Sequence, residues 1–416
     1  MTDENFFVER AYMKILFLHI CDMHLKDRSG LNSFQISKVA DTINGFLHVD
    51  RIVLIIAGDI AHSGTAEQYT CAKHLVGKLI TALKAVCPQS ERIDVICVPG
   101  NHDMDHNGAP LTSEFLQGIR KVGSYDNHLP GELGKQEAFF SFANINDCFT
   151  DKSVFCRRIL DYSGFTIEVN MINSGVFSIL DEDKSLHYIP HHCINELSAP
   201  TGADFVITVM HHAPEWYTDK QKNILEEVIF CKSSIVFYGH EHHITRKTIA
   251  YESSTSTIVQ TGGCLCENEN WLNSAFHVGV LDTLTREYNH MEFRWNASQK
   301  QYEQHASMND VLPKKPSVEK APKITDTFLR DLLLDKKHDI DNDFRNYYVF
   351  PRIQSEDRLG NGGINREFIS VDTFVSEILS RKRVLITGGD NSGKTSLLKV
   401  LFLHLLDKQY MVVFCD

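Results

Sequence analysis

Residues 93–103 read IDVICVPGNHD. Apart from Asp94, residues 93–98 are apolar and rich in β-branched side chains, and they run into Pro-Gly and then an amide, an imidazole and a carboxylate. A short apolar run closed by turn residues suits a buried strand, so the polar cluster sits at that strand's carboxyl end. The pattern recurs elsewhere in the first 300 residues. Residues 15–20 enter Cys-Asp-Met-His, placing Asp22 and His24, and residues 52–57 enter Gly-Asp-Ile-Ala-His, placing Asp59 and His62. Residues 205–210 enter His-His-Ala-Pro at His211, and residues 235–238 enter Gly-His-Glu-His-His, placing His240 and His242. Between the second and third runs, Cys71, Leu75, Leu79, Leu83 and Val86 recur at helical spacing, so residues 66–86 read as the helix of a βαβ unit.

In an open α/β sheet the strand carboxyl ends converge on one edge, where ligands bind. Asp22, His24, Asp59, Asn101, His211, His240 and His242 are too many for one tetrahedral ion, whereas a bridging carboxylate lets them hold two. Mixed His, Asp and Asn donors suit Mn, Fe or Zn better than Ca or Mg.

The ordered blocks DxH, GD, GNHD, a lone His and GHxH closely resemble those of the calcineurin-like metallophosphoesterase superfamily, over residues ~13–300. The resemblance implies an α/β fold, a four-layer αββα sandwich. It implies two divalent ions, Mn first with Fe or Zn as alternatives. Carried over by position, Asp22, His24 and His242 hold one ion, Asn101, His211 and His240 the other, and Asp59 bridges them. It further implies a hydroxide bridging ions ~3.5–4 Å apart and in-line attack at phosphorus. His102 is then the general acid, apt because an ordinary imidazole pKa lies at about 6.5.

One position departs from the phosphatase branch. Three residues after the bridging Asp, where those enzymes carry an Asp that orients the acid histidine, stands His62. The GDxxH form resembles the DNA-repair nucleases, and His62 joins His102 as a catalytic candidate; the alternative is a plain loop residue. His212 and His243 duplicate neighbouring ligands. Trp216 and Tyr217 either stack a base or pack their loop, and Cys264 and Cys266 read as structural.

Composition bounds the function. With 42 basic and 54 acidic residues, the net charge is −12, which argues against a broadly basic nucleic-acid surface. Eleven dispersed cysteines suggest reduced thiols rather than a disulfide framework. No apolar run approaches the ~18 residues of a membrane span, and the acidic start MTDENFFVER is unlike a signal peptide. A cytoplasmic protein without membrane contact is expected.

Residues 1–303 form the expected phosphoesterase domain, and the later runs 255–260, 275–282 and 287–295 are expected to close its second sheet. Residues 104–163, rich in Phe, interrupt the pattern as either a cap beside the site or a packed insertion. Residues 304–323, with Pro313, Pro316 and Pro322, read as a linker. Residues 324–416 then hold a charged helical stretch, a Gly/Asn loop at 360–363 and a helix at 372–381. There follows GGDNSGKT at 388–395, between an apolar strand and a helix. This is the strand–loop–helix context of a P-loop: Gly388 and Gly393 free the backbone to cradle phosphates, Lys394 neutralises them, and Thr395 offers a hydroxyl to Mg²⁺.

The sequence ends at Asp416 with one further strand, so this part is expected to be a truncated P-loop α/β fragment that binds ATP and Mg when complete. With the lead-in YYVFPR at 347–352 it resembles STAND/NACHT-type NTPases, and the two-part layout resembles bacterial antiphage STAND effectors. That resemblance implies a nuclease effector acting on nucleic acid, a missing C-terminal NTPase and sensor region, and homo-oligomerisation on activation. Its rivals are a phosphatase or phosphodiesterase for small nucleotides, and a metal-poor scaffold gated by nucleotide-driven assembly.

Overall fold

The computed structural model describes residues 12–313 apart from short interruptions, the hairpin strands 353–358 and 364–369, and isolated positions from 374 to 401. Two compact units meet at Ser317 and Val318.

The first unit begins with β1 (Lys14–Ile20), α1 (Ser33–Ile43), β2 (Arg51–Ala57), α2 (Ala66–Val86) and β3 (Ile93–Val98). The three strands pair in parallel, and every residue of β3 is buried. Helix α2 spans the predicted range, with Thr65 capping its amino end through a bond from the Gln68 N–H. After α3 (Ser113–Val122), α4 (Tyr125–Gly134) and α5 (Glu137–Ile145), strands β4 (Phe155–Tyr162) and β5 (Phe165–Ile172) form an antiparallel hairpin. Next come α6 (His191–Ser198), β6 (Phe205–Met210), α7 (Asp219–Lys232), β7 (Ile235–Tyr238), β8 (Thr245–Tyr251) and β9 (Thr255–Thr261). Three antiparallel strands end the unit: β10 (Ala275–Asp282), β11 (Glu287–Asn296) and β12 (Gln301–Val311).

These strands build two six-stranded sheets, ordered β12-β11-β10-β1-β2-β3 and β4-β5-β6-β7-β9-β8. Phe17 of the first sheet meets Phe237 of the second, with ring centroids 6.1 Å apart. With helices packed outside, this is the expected αββα sandwich. It sets the carboxyl ends of β1, β2 and β3 beside those of β6 and β7.

Two expectations change. Strands β10 and β11 join the first sheet, not the second, because β10 pairs antiparallel with β1; strand periodicity carries no information about the partner. Residues 304–311, read as linker, belong to β12. Residues 303–309 are exposed on both faces at the sheet's edge, so the strand lacks the alternation that reveals a half-buried one. Within 104–163, Phe139, Phe140, Phe142 and Phe149 enter the main core, and β4 forms a sheet edge. That segment is a packed insertion.

In the second unit, β13 (Ile353–Arg358) and β14 (Ile364–Ile369) make an antiparallel hairpin around the Gly/Asn loop. Phe374 is helical and buried; Lys394 is helical and half-buried, with Leu397, Val400 and Leu401 buried behind it. Gly388, Gly393 and Thr395, the lead-in 347–352, the stretch 325–345 and most of 372–381 lie outside the described residues. No described helix is long and apolar enough to cross a membrane.

Candidate metal centre

All seven predicted ligands lie on loops that leave strand carboxyl ends, and five have left-handed backbones: Asp22 (φ 54°), His24 (45°), Asp59 (51°), His240 (69°) and His242 (53°). Non-glycine residues take this conformation at a cost, and they persist there only when their surroundings hold them. Main-chain bonds provide the hold. The N–H groups of Met23 and His24 both donate to the Asp59 carbonyl, at 2.8 and 3.0 Å, and that of Asp22 to Gly58 at 3.1 Å. On the other side, the N–H of Cys266 and the thiol of Cys264 donate to the Asp22 carbonyl, at 3.1 and 3.2 Å. Both cysteines are buried, and the Cys264 thiol lies within 4.8 Å of ligand atoms of His24 and His242.

His211 explains the glycines. A Cβ at Gly58 would lie 2.3 Å from His211 Nδ1, one at Gly100 2.2 Å from Asp59 Oδ1 and 2.6 Å from His211 Cδ2, and one at Gly239 2.3 Å from the Ala57 carbonyl and 2.6 Å from His211 Nδ1. The imidazole is wedged among three backbones, so GD, GN and GH motifs need their glycine to admit it.

At the floor lies Asp59, fully buried. Its Oδ2 stands 3.4 Å from His211 Nε2 and 3.9 Å from His24 Nε2, while Oδ1 accepts the His102 N–H at 3.0 Å. One oxygen thus faces a predicted ligand of each ion. Nδ1–H of His211 donates to the Ala57 carbonyl at 2.7 Å, which leaves Nε2 as the donor atom. The Nε2 atoms of His24 and His242 face each other at 3.4 Å, and Asp22 Oδ1 is 3.3 Å from His242 Nε2. Asp22 Oδ1 and Oδ2, Asn101 Oδ1 and His211 Nε2 are buried without a well-formed hydrogen bond among the described residues. Buried polar atoms are rarely left so, and ligand atoms of Asp22, Asp59 and His211 lie within 4.8 Å of one another. Divalent cations satisfy them, and the N/O set fits Mn, Fe or Zn.

The charges agree. Burial works against ionising Asp59, yet the facing His211 holds its carboxyl well below the usual range. Burial also opposes a charge on His211, but Asp59 and Asp22 push it up to about 10. Metal binding must displace that proton.

His102 is half-buried, its ring 4.6 Å from that of His24. Its Nδ1 lies 2.8 Å from the main-chain carbonyl of His62. A carbonyl only accepts, so Nδ1 carries hydrogen and Nε2 is the exchangeable position. Position 62 therefore orients the His102 ring through its backbone, whichever side chain it bears; the His62 ring stands 5.3 Å from that of His102.

Sequence reading missed several supports. Asp103 accepts from the N–H groups of Ile60, Ala61 and Gly100 and from Tyr69 Oη (3.2, 2.8, 2.9 and 2.6 Å), tying two ligand loops together. Burial, then Asp59, pushes its carboxyl up to about 6. Ser174 Oγ accepts from the N–H groups of His211 and His212, at 3.1 and 2.9 Å. The Ser174 carbonyl takes Nδ1 of His187 and His212, at 2.9 and 3.1 Å. Ser174 follows β5 in an Asn-Ser-Gly turn, a strand-end signal overlooked because it holds no titratable group. His212 is buried and His243 exposed, while Trp216 and Tyr217 are both buried in their loop.

Several solved structures are similar to this chain. One is GAP50, the anchor in the inner membrane complex of Plasmodium, at 12% identity, covering 73% of this chain and 91% of that one with a TM-score of 0.40. Another is wild-type Vps29 with Zn²⁺ from Entamoeba histolytica, at 11% identity, covering 72% and 98% with a TM-score of 0.30. A third is Chaetomium thermophilum Vps29, at 9% identity, covering 72% and 99% with a TM-score of 0.29. No curated protein matches the chain. The family model described as calcineurin-like phosphoesterase matches residues 15–243, more than half of the sequence and every one of the seven candidate ligands, and the chain belongs to that family.

Proposed function

We propose that the chain is a two-metal-dependent phosphodiester hydrolase that cuts nucleic acid. Asp22, His24 and His242 hold one divalent ion, Asn101, His211 and His240 the other, and Asp59 is shared. The observation that carries this reading is Asp59 Oδ2 standing between His24 and His211, together with buried donor atoms of Asp22, Asn101 and His211 that have no well-formed hydrogen bond among the described residues. Bound there, divalent ions, Mn²⁺ first among them, supply Lewis acidity toward phosphoryl oxygens and lower the pKa of water. His102, with Nδ1–H committed to the His62 carbonyl, exchanges its proton at Nε2 and serves the leaving oxygen.

The GDxxH form of residues 58–62 supports a nuclease. The GGDNSGKT motif supports a link to a STAND-type NTPase that binds ATP and Mg through Gly388, Gly393, Lys394 and Thr395. On that reading the protein is a cytoplasmic antiphage effector released when its NTPase and sensor region assembles. A phosphodiesterase for small nucleotides is the second reading. The net charge of −12 favours it, since long DNA gains from distributed Lys and Arg contacts.

The test is incubation with Mn²⁺ and linear and circular double-stranded DNA, single-stranded DNA, RNA and small nucleotides, with EDTA and Asp59→Asn as controls. Metal-dependent cutting of a polymer supports the nuclease. Hydrolysis of small nucleotides alone moves the assignment to the second reading.

A further inference from the structure

The turn Gly239–His242 carries a ligand of each proposed ion, and both His240 and His242 are left-handed in it. Between them, Glu241 is exposed but not idle: the Trp216 indole Nε1–H donates to its Oε1 at 3.0 Å. The same indole stands perpendicular to the His240 imidazole, with centroids 4.4 Å apart and planes at 89°. His212 and His187 pack around it at 5.9 and 6.1 Å, and the Lys184 ammonium lies over the ring at 5.0 Å. With Trp216 only 8% exposed and its surroundings so filled, the indole is no platform for a base.

We infer that Trp216 and Glu241 form a positioning brace for the metal ligands of this turn. The indole sets the plane of the His240 imidazole. Its N–H anchors the residue between the two histidines, so one hydrogen bond restrains a ligand of each ion. A strained turn is held by such partners or relaxes, and a relaxed turn would separate His242 from Asp22 and His240 from His211. The inference rests on the two-metal reading of the site.

The test is a Mn²⁺ titration of the full chain by calorimetry, alongside thermal melting in EDTA. Wild-type protein is expected to bind two Mn²⁺. Trp216→Phe, which keeps an aromatic ring but not the N–H, and Glu241→Ala should weaken Mn²⁺ binding by ~10–100-fold, the usual cost of losing a partner behind a metal ligand. The metal-free melting of Glu241→Ala should match that of the wild type. Glu241→Gln keeps an acceptor and should restore near-wild-type affinity, which a purely structural role would not require. Should Trp216→Phe fail to fold, the exposed Glu241 carries the comparison. Unchanged Mn²⁺ affinity in Glu241→Ala overturns the brace while leaving the two-metal reading intact. A wild-type chain that binds no Mn²⁺ overturns that reading, and the brace with it.

Discussion

His24, His102, His211, His240 and His242 stand on strand-end loops, while His19, His277 and His290 stand in mid-strand between the sheets. His19 and His277 are register partners on β1 and β10, with rings 5.7 Å apart. His277 Nδ1 bonds His290 Nε2 on β11, and their rings are 4.7 Å apart. No hydrogen bond joins a carboxylate to this group among the described residues, and the pull of Asp22 on His19 does not offset burial. Burial holds His277 down to about 4 and His290 to about 3, and neither nitrogen of His19 finds a hydrogen bond among the described residues. At the strand ends the same side chain meets buried carboxylates, and His211 is pushed up to about 10. Position along the strand decides between the two: a residue within a strand turns its imidazole onto the facing sheet, whereas a strand-end turn, left-handed at His24, His240 and His242, aims it at the shared edge.

The sharpest way to break this contrast is Asp59→Asn. It removes the shared oxygen, so binding of both ions and nearly all hydrolysis should vanish, measured by metal analysis and turnover. His102→Ala should come next. Bound metal stays at wild-type stoichiometry while the rate falls by ~10²–10⁴, and equal metal loss in both variants would remove the distinction between floor and acid.

The inner histidines should show themselves in stability. Their folded pKa values lie below the unfolded ~6.5, so only the unfolded chain gains protons as the pH first drops. Stability is therefore whole above about 6.5 and declines as the pH falls through about 4 toward about 3. Melting of the EDTA-treated chain across that range should show the decline, and His277→Gln with His290→Gln should flatten it. The smallest effect belongs to His62→Ala. The carbonyl that orients His102 survives the change, so the rate should fall by less than the ~10–100-fold that losing an orienting partner costs. A larger fall would give the His62 side chain a role of its own.

The strand-end blocks were legible because side-chain chemistry changes sharply where an apolar run stops, as at Val98 and Gly100. Helix α2 was legible because its apolar spacing runs unbroken from Cys71 to Val86. What escaped was mostly main-chain business. The His62 carbonyl, the Ala57 carbonyl under His211 and the Ser174 carbonyl leave no mark on residue identity. Strand pairing escaped for a related reason: the apolar content of β10 and β11 would suit either sheet, and only the bonding of β10 to β1 and of β11 to β10 shows which. Strand β12 escaped because an edge exposed on both faces has the composition of a loop.

The ligands of the proposed ions run from Asp22 to His242, so the pocket is assembled from one end of the domain to the other. A ribosome adding ~5–20 residues per second needs on the order of ten seconds or more between those positions. From the addition of Asp59 until that of His211, Asp22, His24 and Asp59 exist without His211, His240 or His242. Strand β10, which pairs directly with β1, emerges later still. A nascent chain therefore stays without a complete metal pocket until His242 has been added, well after its opening strands have left the ribosome.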